Sequence, residues 1–279
     1  MDDWARYWRD PARPVEAMHA HFVRHVFHRH SHDAYSFAVT ESGAQRFHAR
    51  GGAHTSATGM VMAFNPDDPH DGEAAEEFGF TYRIVHIGPE VVREVLADAA
   101  DGGAGPPAMP LFERPVREDP VLARALLGLH GALVGGGGHL VRDEWLTASV
   151  TAMVRRGAAR PPRDRLLSPG GQSRAARRAR ALLEESYALD LPARALAEAA
   201  GCSRYALYRA FRAEYGMPPS DFQRQLRLRG ARRLLTAGRS AAEAAAETGF
   251  ADQSHLHRWF VRCFGVTPGT YQRAALSRG

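Results

Sequence analysis

Residues 196–222 read LAEAAGCSRYALYRAFRAEYGMPPSDF. Leu196 and Ala197 stand five and four residues before Gly201, and Leu207 and Phe211 follow it. Two short helices that cross at a tight turn have three requirements. The crossing needs a small residue, here Ala197. The turn needs a residue that tolerates positive φ, here Gly201. The second helix needs an apolar anchor, here Leu207. A looser copy begins at Ala244 and continues through residues 245–273, AAETGFADQSHLHRWFVRCFGVTPGTYQR. There Ala244 and Ala245 precede Gly249 by five and four residues, and Leu256 and Phe260 sit on the second helix. Leu256 is one position further from its glycine than Leu207 is from Gly201, so the turn is longer. Between the copies runs an amphipathic stretch, 219–236. Its Leu226, Leu234 and Leu235 are placed to pack on both units and fix their separation.

The same reasoning extends over the rear of the chain. Helices are expected at 174–187, 192–199, 203–215, 219–236, 240–247, 252–264 and 268–276. Ser203, Asp252 and Thr267 are residues that cap, and Pro192, Pro219 and Pro268 sit near first turns. Gly216 and Gly238 suit left-handed helix ends. Residues 157–173 are rich in Arg, Pro, Gly and Ser and read as a linker.

Charge divides the 279 residues unevenly. Residues 174–279 hold 18 Arg against nine acidic residues, a net of +9, whereas residues 1–173 hold 18 Arg against 22, a net of −4. A basic rear half implies a polyanionic partner. All 36 basic residues are Arg. Two cysteines, Cys202 and Cys263, make neither a disulfide framework nor a zinc site by themselves. No apolar run reaches the ~18 residues of a membrane-spanning helix. The acidic start, Met1-Asp2-Asp3-Trp4, is not a secretory signal, so a cytoplasmic location is expected.

The front half differs in kind. Twelve of the 14 histidines lie before residue 140. From Phe37 to His86 short alternating runs are separated by turn signals at 42–43, 50–52, 58–59 and 65–69. Phe80, Tyr82, Ile84 and His86 fall on one face of a strand. The pattern reads as a β-barrel or sandwich. Helices follow at 120–134, with Leu122, Leu126, Leu129 and Leu133 at helical spacing, and at 143–156. The expected fold is therefore α+β, with domains at 1–156 and 174–279.

The stretch from Leu196 to Tyr271 resembles the DNA-binding domain of the AraC family, most specifically in GF-x-D-Q-S-x-L-x-R-x-F and FGVTPGTYQR. It departs at Ala241 and Ala244, where the family places larger aliphatic residues. The resemblance implies base-facing positions at Arg204, Tyr205, Tyr208 and Arg209 in the first unit. In the second they are Gln253, Ser254, His257 and Arg258. Arg is suited to guanine, Gln to adenine, and Tyr to thymine methyls or phosphates. The front half resembles the cupin-like effector domain that precedes this unit. His30, His32 and His70 stand where metal-binding cupins place three of their ligands, but the expected Glu is absent near Ser36 and Phe37, and Glu41 comes late. No metal, cofactor or catalytic residue is assigned on this basis. Instead His30, His32, Tyr35, Glu41, His70 and Tyr82 are expected at the mouth of a pocket for a sugar or an aromatic compound. His19, His21, His25 and His28 are expected at the surface. The partners implied are double-stranded DNA, a small-molecule effector, RNA polymerase, and a second copy of the chain paired through 120–156. The competing reading is a metal-dependent cupin enzyme with an accessory DNA-binding tail.

Overall fold

The computed structural model describes residues 2–10, 13–100, 108–159, 169–264 and 266–276. The chain divides into two compact units, Met1–Gly137 with Val141–Arg165, and Gly138–Leu140 with Leu166–Gly279. The fold is α+β, with the strands in the first unit and an all-helical second unit.

The first unit contains β1 (Trp4–Arg9), β2 (Val15–Phe22), β3 (Phe27–His30), β4 (Tyr35–Ala49), β5 (Gly52–Ala57), β6 (Met60–Phe64), β7 (His70–Ala74), β8 (Phe80–Ile87) and β9 (Val116–Glu118). It also contains α1 (Pro89–Ala99), α2 (Pro120–Val134) and most of α3 (His139–Gly157). One path of paired strands runs β1-β2-β8-β4-β6-β9. The long strand β4 belongs to two layers. Its first half pairs with β8 and β6, and its second half pairs with β5 and β7. The register slips between Thr40 and Ser42, where the strand turns the corner. Gly43 follows at φ +69°, and a Cβ there would lie 2.1 Å from the Gly79 carbonyl oxygen. Only glycine fits that approach.

Alternation along β4 sorts the core into two clusters. Ala38 packs inside the barrel with Phe47, Phe64, Phe80, Tyr82 and Ile84. Tyr35, Phe37 and Val39 face the other way, against Phe112 and the apolar sides of α1, α2 and α3. Leu122, Leu126, Leu129 and Leu133 are all buried in that second cluster. The leucine stripe is therefore spent on covering the sheet. What α2 and α3 leave exposed is Val121, Val134 and Trp145.

The second unit contains α4 (Pro169–Ser186), α5 (Ala193–Ala200), α6 (Arg204–Tyr215), α7 (Pro219–Thr236), α8 (Ala241–Glu247), α9 (Gln253–Phe264) and α10 (Pro268–Leu276). Helix α4 begins five residues earlier than the sequence implies, and α3 continues to Gly157, so both ends of the expected 157–173 linker are helical. Its middle, 160–168, lies outside the described residues. Ser203 caps α6 by accepting from the Ala206 amide, and Asp252 and Thr267 do the same for the amides of His255 and Thr270. Gly201, Gly216, Gly238 and Gly249 all have positive φ.

Helix α7 packs on two separate cores. Phe222 and Leu226 join the first, built on Leu196, Ala197, Leu207 and Phe211. Leu228, Ala231 and Leu235 form the second with Ala244, Ala245, Phe250, Leu256 and Phe260. Two side chains of α7 also satisfy carbonyls left open after α4. Gln223 and Arg227 each donate to the carbonyls of Tyr187 and Leu189. From α10, Gln272 donates to the carbonyl of Arg239 at 2.7 Å.

Gly249 is held at φ +80°, and a Cβ there would lie 2.0 Å from the Ala188 carbonyl oxygen. At Gly201, φ +70°, the one atom within 4 Å is the end of the Arg178 side chain. Gly201→Ala should cost ~1–2 kcal/mol of left-handed strain. Gly249→Ala should cost more, because backbone must also move. Thermal melts of the two variants test the order; equal losses would contradict the close approach at Gly249.

Candidate functional site

Two regions carry exposed or converging polar chemistry, one in each unit.

In the helical unit the second helix of each pair presents an outward face. On α9, Gln253, Ser254, His257 and Arg258 are all exposed. The helix is pinned behind that face. The Trp259 indole N–H donates to His255 Nε2 at 3.0 Å, and the Arg224 guanidinium lies 3.6 Å from the Trp259 ring centroid. Burial holds the His255 pKa below its ordinary value. On α6 the expected residues divide. Arg209 is exposed and Tyr208 half-buried, but Arg204 and Tyr205 are only 8% and 7% exposed. Helical spacing gives the reason. Arg204 falls three and seven positions before Leu207 and Phe211, on the buried stripe. Tyr205 lies one turn before Arg209, whose guanidinium donates to the Tyr205 hydroxyl and lies over its ring. The sequence reading missed Arg212, exposed three positions after Arg209 on the same face. The 3.6-residue period alone would have found it.

In the barrel the six expected pocket residues also divide. His30, His32 and His70 come together, each with one ring nitrogen within 4.8 Å of the others. His30 and His70 are paired across β3 and β7. The turn at 65–68 holds the group in place. Asp67 donates its amide to the His32 carbonyl at 2.7 Å, and His70 Nδ1–H donates to the Asp68 carbonyl at 2.9 Å. His30 Nδ1–H donates to the His28 carbonyl at 2.7 Å. The His70 ring stacks on Phe64 at 4.1 Å. Beside them stands His86, unassigned by the sequence reading, with its ring 4.5 Å from that of His32 and a 2.8 Å hydrogen bond to Ser36. Its place on the strand face with Phe80, Tyr82 and Ile84 was legible, but its neighbours were not. Burial, reinforced by the other imidazoles, pushes His32 and His86 down to about 4, and burial lowers His70.

The other three are elsewhere. Tyr82 is deep in the barrel core, where burial raises its pKa. Tyr35 and Glu41 lie on the opposite side of the sheet. The Tyr35 hydroxyl donates to the Pro110 carbonyl at 2.9 Å. Glu41 lies 2.8 Å from both Arg83 Nε and His19 Nε2. Strand alternation is the cause: Tyr35, Phe37, Val39 and Glu41 share one parity, and Val39 pairs with Arg83, so Glu41 falls on the Arg83 side. His19 is half-buried there and His21 is buried, with Nδ1 2.9 Å from the Thr81 hydroxyl; the surface expectation holds only for His25 and His28.

A helical unit with two such pairs, following in sequence a barrel that gathers a histidine cluster, defines a regulator with separate DNA-binding and ligand-binding parts. Comparison with known proteins agrees. A model described as AraC-like ligand binding domain matches residues 14–148, and one described as Helix-turn-helix domain matches 196–274. The chain belongs to the AraC family of transcription regulators. It is similar to an uncharacterized HTH-type transcriptional regulator, YbfI, of Bacillus subtilis, at 26% identity over 247 residues, covering 88% of this chain and 87% of that protein. The HTH-type transcriptional regulator GlxA of Rhizobium meliloti is 39% identical over 92 residues, 33% of this chain and 28% of its own. Among solved structures, an AraC-type regulator from Chromobacterium violaceum is 27% identical, covering 39% of this chain and 99% of its own, with a TM-score of 0.36. Among the described residues no helix is long and apolar enough to cross a membrane.

The back of the sheet carries a pH-sensitive group. His130 of α2 is buried beside His19, with rings 6.0 Å apart, and faces Arg83 and Glu41. Burial, with Arg83 adding to it, pushes its pKa down to about 4. Neutral in both states above pH 6.5, it costs nothing there. Below 6.5 the unfolded chain binds the proton and the folded one does not, so stability falls by up to ~1.4 kcal/mol per pH unit until about pH 4. His130→Phe should flatten the drop in melting temperature between pH 7 and 5. An unchanged slope would show that other groups cause it.

Proposed function

We propose that the exposed faces of α6 and α9 enter adjacent major grooves and read sequence there. The observation that carries this reading is the exposure of Gln253, Ser254, His257 and Arg258 on a helix anchored behind by Leu256, Trp259 and Phe260. Arg209 and Arg212 supply the matching face on α6. Arg204 and Tyr205 act by shaping that helix and seating Arg209, whose donors suit guanine. The base-facing set is thus Tyr208, Arg209 and Arg212 with Gln253, Ser254, His257 and Arg258.

The barrel interior at His30, His32 and His70 receives a small effector. Binding there alters DNA affinity because the two states of the protein hold the effector unequally. The chain acts in the cytoplasm as a homodimer, with the exposed Val121, Val134 and Trp145 as the pairing face, and recruits or blocks RNA polymerase. No catalytic step is assigned to it.

Sites selected from a random duplex library by the full-length protein provide the probe. Affinity for a selected site should fall steeply between 50 and 200 mM salt, as several arginines displace counterions. Arg209→Ala should weaken binding to the selected site by ~1–3 kcal/mol and weaken random DNA less. Anisotropy titrations at fixed salt measure both. Equal losses on the two would make Arg209 a phosphate contact, and failure to select any sequence would overturn the reading.

A further inference from the structure

We propose that His30, His32 and His70 hold a divalent late first-row transition-metal ion, and that this ion is the barrel's effector; the second clause rests on the effector reading above. The three donor nitrogens already lie within 4.8 Å of one another. Zn–N bonds of ~2.0–2.1 Å ask for a separation of ~3.3 Å, so ring shifts of about an ångström close the set. The rings are oriented for the task. Carbonyl oxygens only accept, so the contacts from His28 and Asp68 fix the proton of His30 and His70 on Nδ1. Nε2 of each neutral ring is then a bare donor to a cation. Ligating histidines are held in this way by a second layer of acceptors. Stacking on Phe64 restrains the His70 ring, and the bond from the Asp67 amide to the His32 carbonyl fixes the His32 backbone.

The donor set also narrows the ion. Where metal-binding cupins add a glutamate, this barrel has Ser36, hydrogen-bonded to His86, and Glu41 lies on the far face of the sheet. The exposed carboxylate felt by both His32 and His86 is that of Asp33. Imidazoles without a carboxylate disfavour Mg²⁺ and Ca²⁺ and suit Zn²⁺, Ni²⁺, Cu²⁺ or Fe²⁺. Three imidazoles leave a coordination position open, and His86 is the neighbouring imidazole. A site of this kind answers to metal availability and needs no organic ligand.

The test uses the full-length protein stripped with a chelator and titrated with Zn²⁺ and Co²⁺. One equivalent per chain should bind, and Co²⁺ should develop visible d–d absorption. His32→Ala and His70→Ala should each weaken binding at least tenfold. His48→Ala, on the exposed side of β4, should leave it unchanged. Circular dichroism and thermal melts establish that the variants fold; the milder His70→Gln replaces any that does not. Sub-stoichiometric binding, or titrations insensitive to His32 and His70, would overturn the site. Affinity for a selected DNA site is then compared with and without Zn²⁺, with at least a fivefold difference expected. Equal affinities with the site filled would overturn the ion's role as effector while leaving DNA recognition intact. Loss of DNA binding in both states would instead count against the regulator reading, and the metal titration would stand.

Discussion

The helical unit depends on α7 being anchored on both sides at once. Phe222 and Leu226 fill one core and Leu228, Ala231 and Leu235 fill the other, so a single rigid rod separates the two helix pairs. Gln223 and Arg227 add polar anchors by closing carbonyls that α4 leaves open. A buried amide such as that of Gln223 left without partners would cost ~1–3 kcal/mol, more than the bond itself returns, so these contacts fix where α7 sits. Separation of the two recognition faces is then a property of the packing. Two short helices tethered by a loose chain would lose that constraint and order themselves only on DNA, at an entropic cost.

The barrel depends on a comparable device in β4. One strand contributes to both layers because it bends at Gly43 and slips register after Thr40. Its alternate residues then serve different purposes. Ser36, Ala38 and Thr40 face the barrel lumen, while Tyr35, Phe37 and Val39 hold the helices. The lumen is where His30, His32, His70 and His86 gather. The opposite face carries a half-buried charged knot of Glu41, Arg83 and His19 beside the buried His130 of α2. Polar groups on the two faces thus have separate fates: one set converges as a histidine cluster, the other pairs acid with base beside the helical cover.

Much of this was legible in the sequence. Proline positions and helix-ending glycines placed α2 and α7 to the residue, and Thr267 with Pro268 placed the start of α10, because helix ends are set by local chemistry. The small-residue, glycine and leucine spacing marked both helix pairs. The extra turn residue in the second pair appears as the longer gap between α8 and α9. Three misplacements have different causes. Strand parity put Tyr35 and Glu41 with Phe37 and Val39 on the face opposite Ala38, and that alternation was readable. Long-range pairing with β8, which nothing local marks, half-buried His19 and buried His21. Arg204 looked available because it is polar, whereas its spacing to Leu207 and Phe211 put it on the buried stripe. Helix α1 and strand β1 were passed over for opposite reasons. Val91, Val92, Val95 and Leu96 after Pro89 form a readable signal, but β1 is mostly exposed and has no alternation to read.

The central claim is that one chain offers two rigidly spaced reading helices to DNA. Base-specific methylation interference on a bound site measures this most directly. The account requires two clusters of interfering major-groove guanines on one face of the duplex, about one helical turn apart, for each bound chain. It also requires that Arg258→Ala relieve only one of the two clusters. A single cluster per chain, or clusters whose spacing varies between sites, would contradict it.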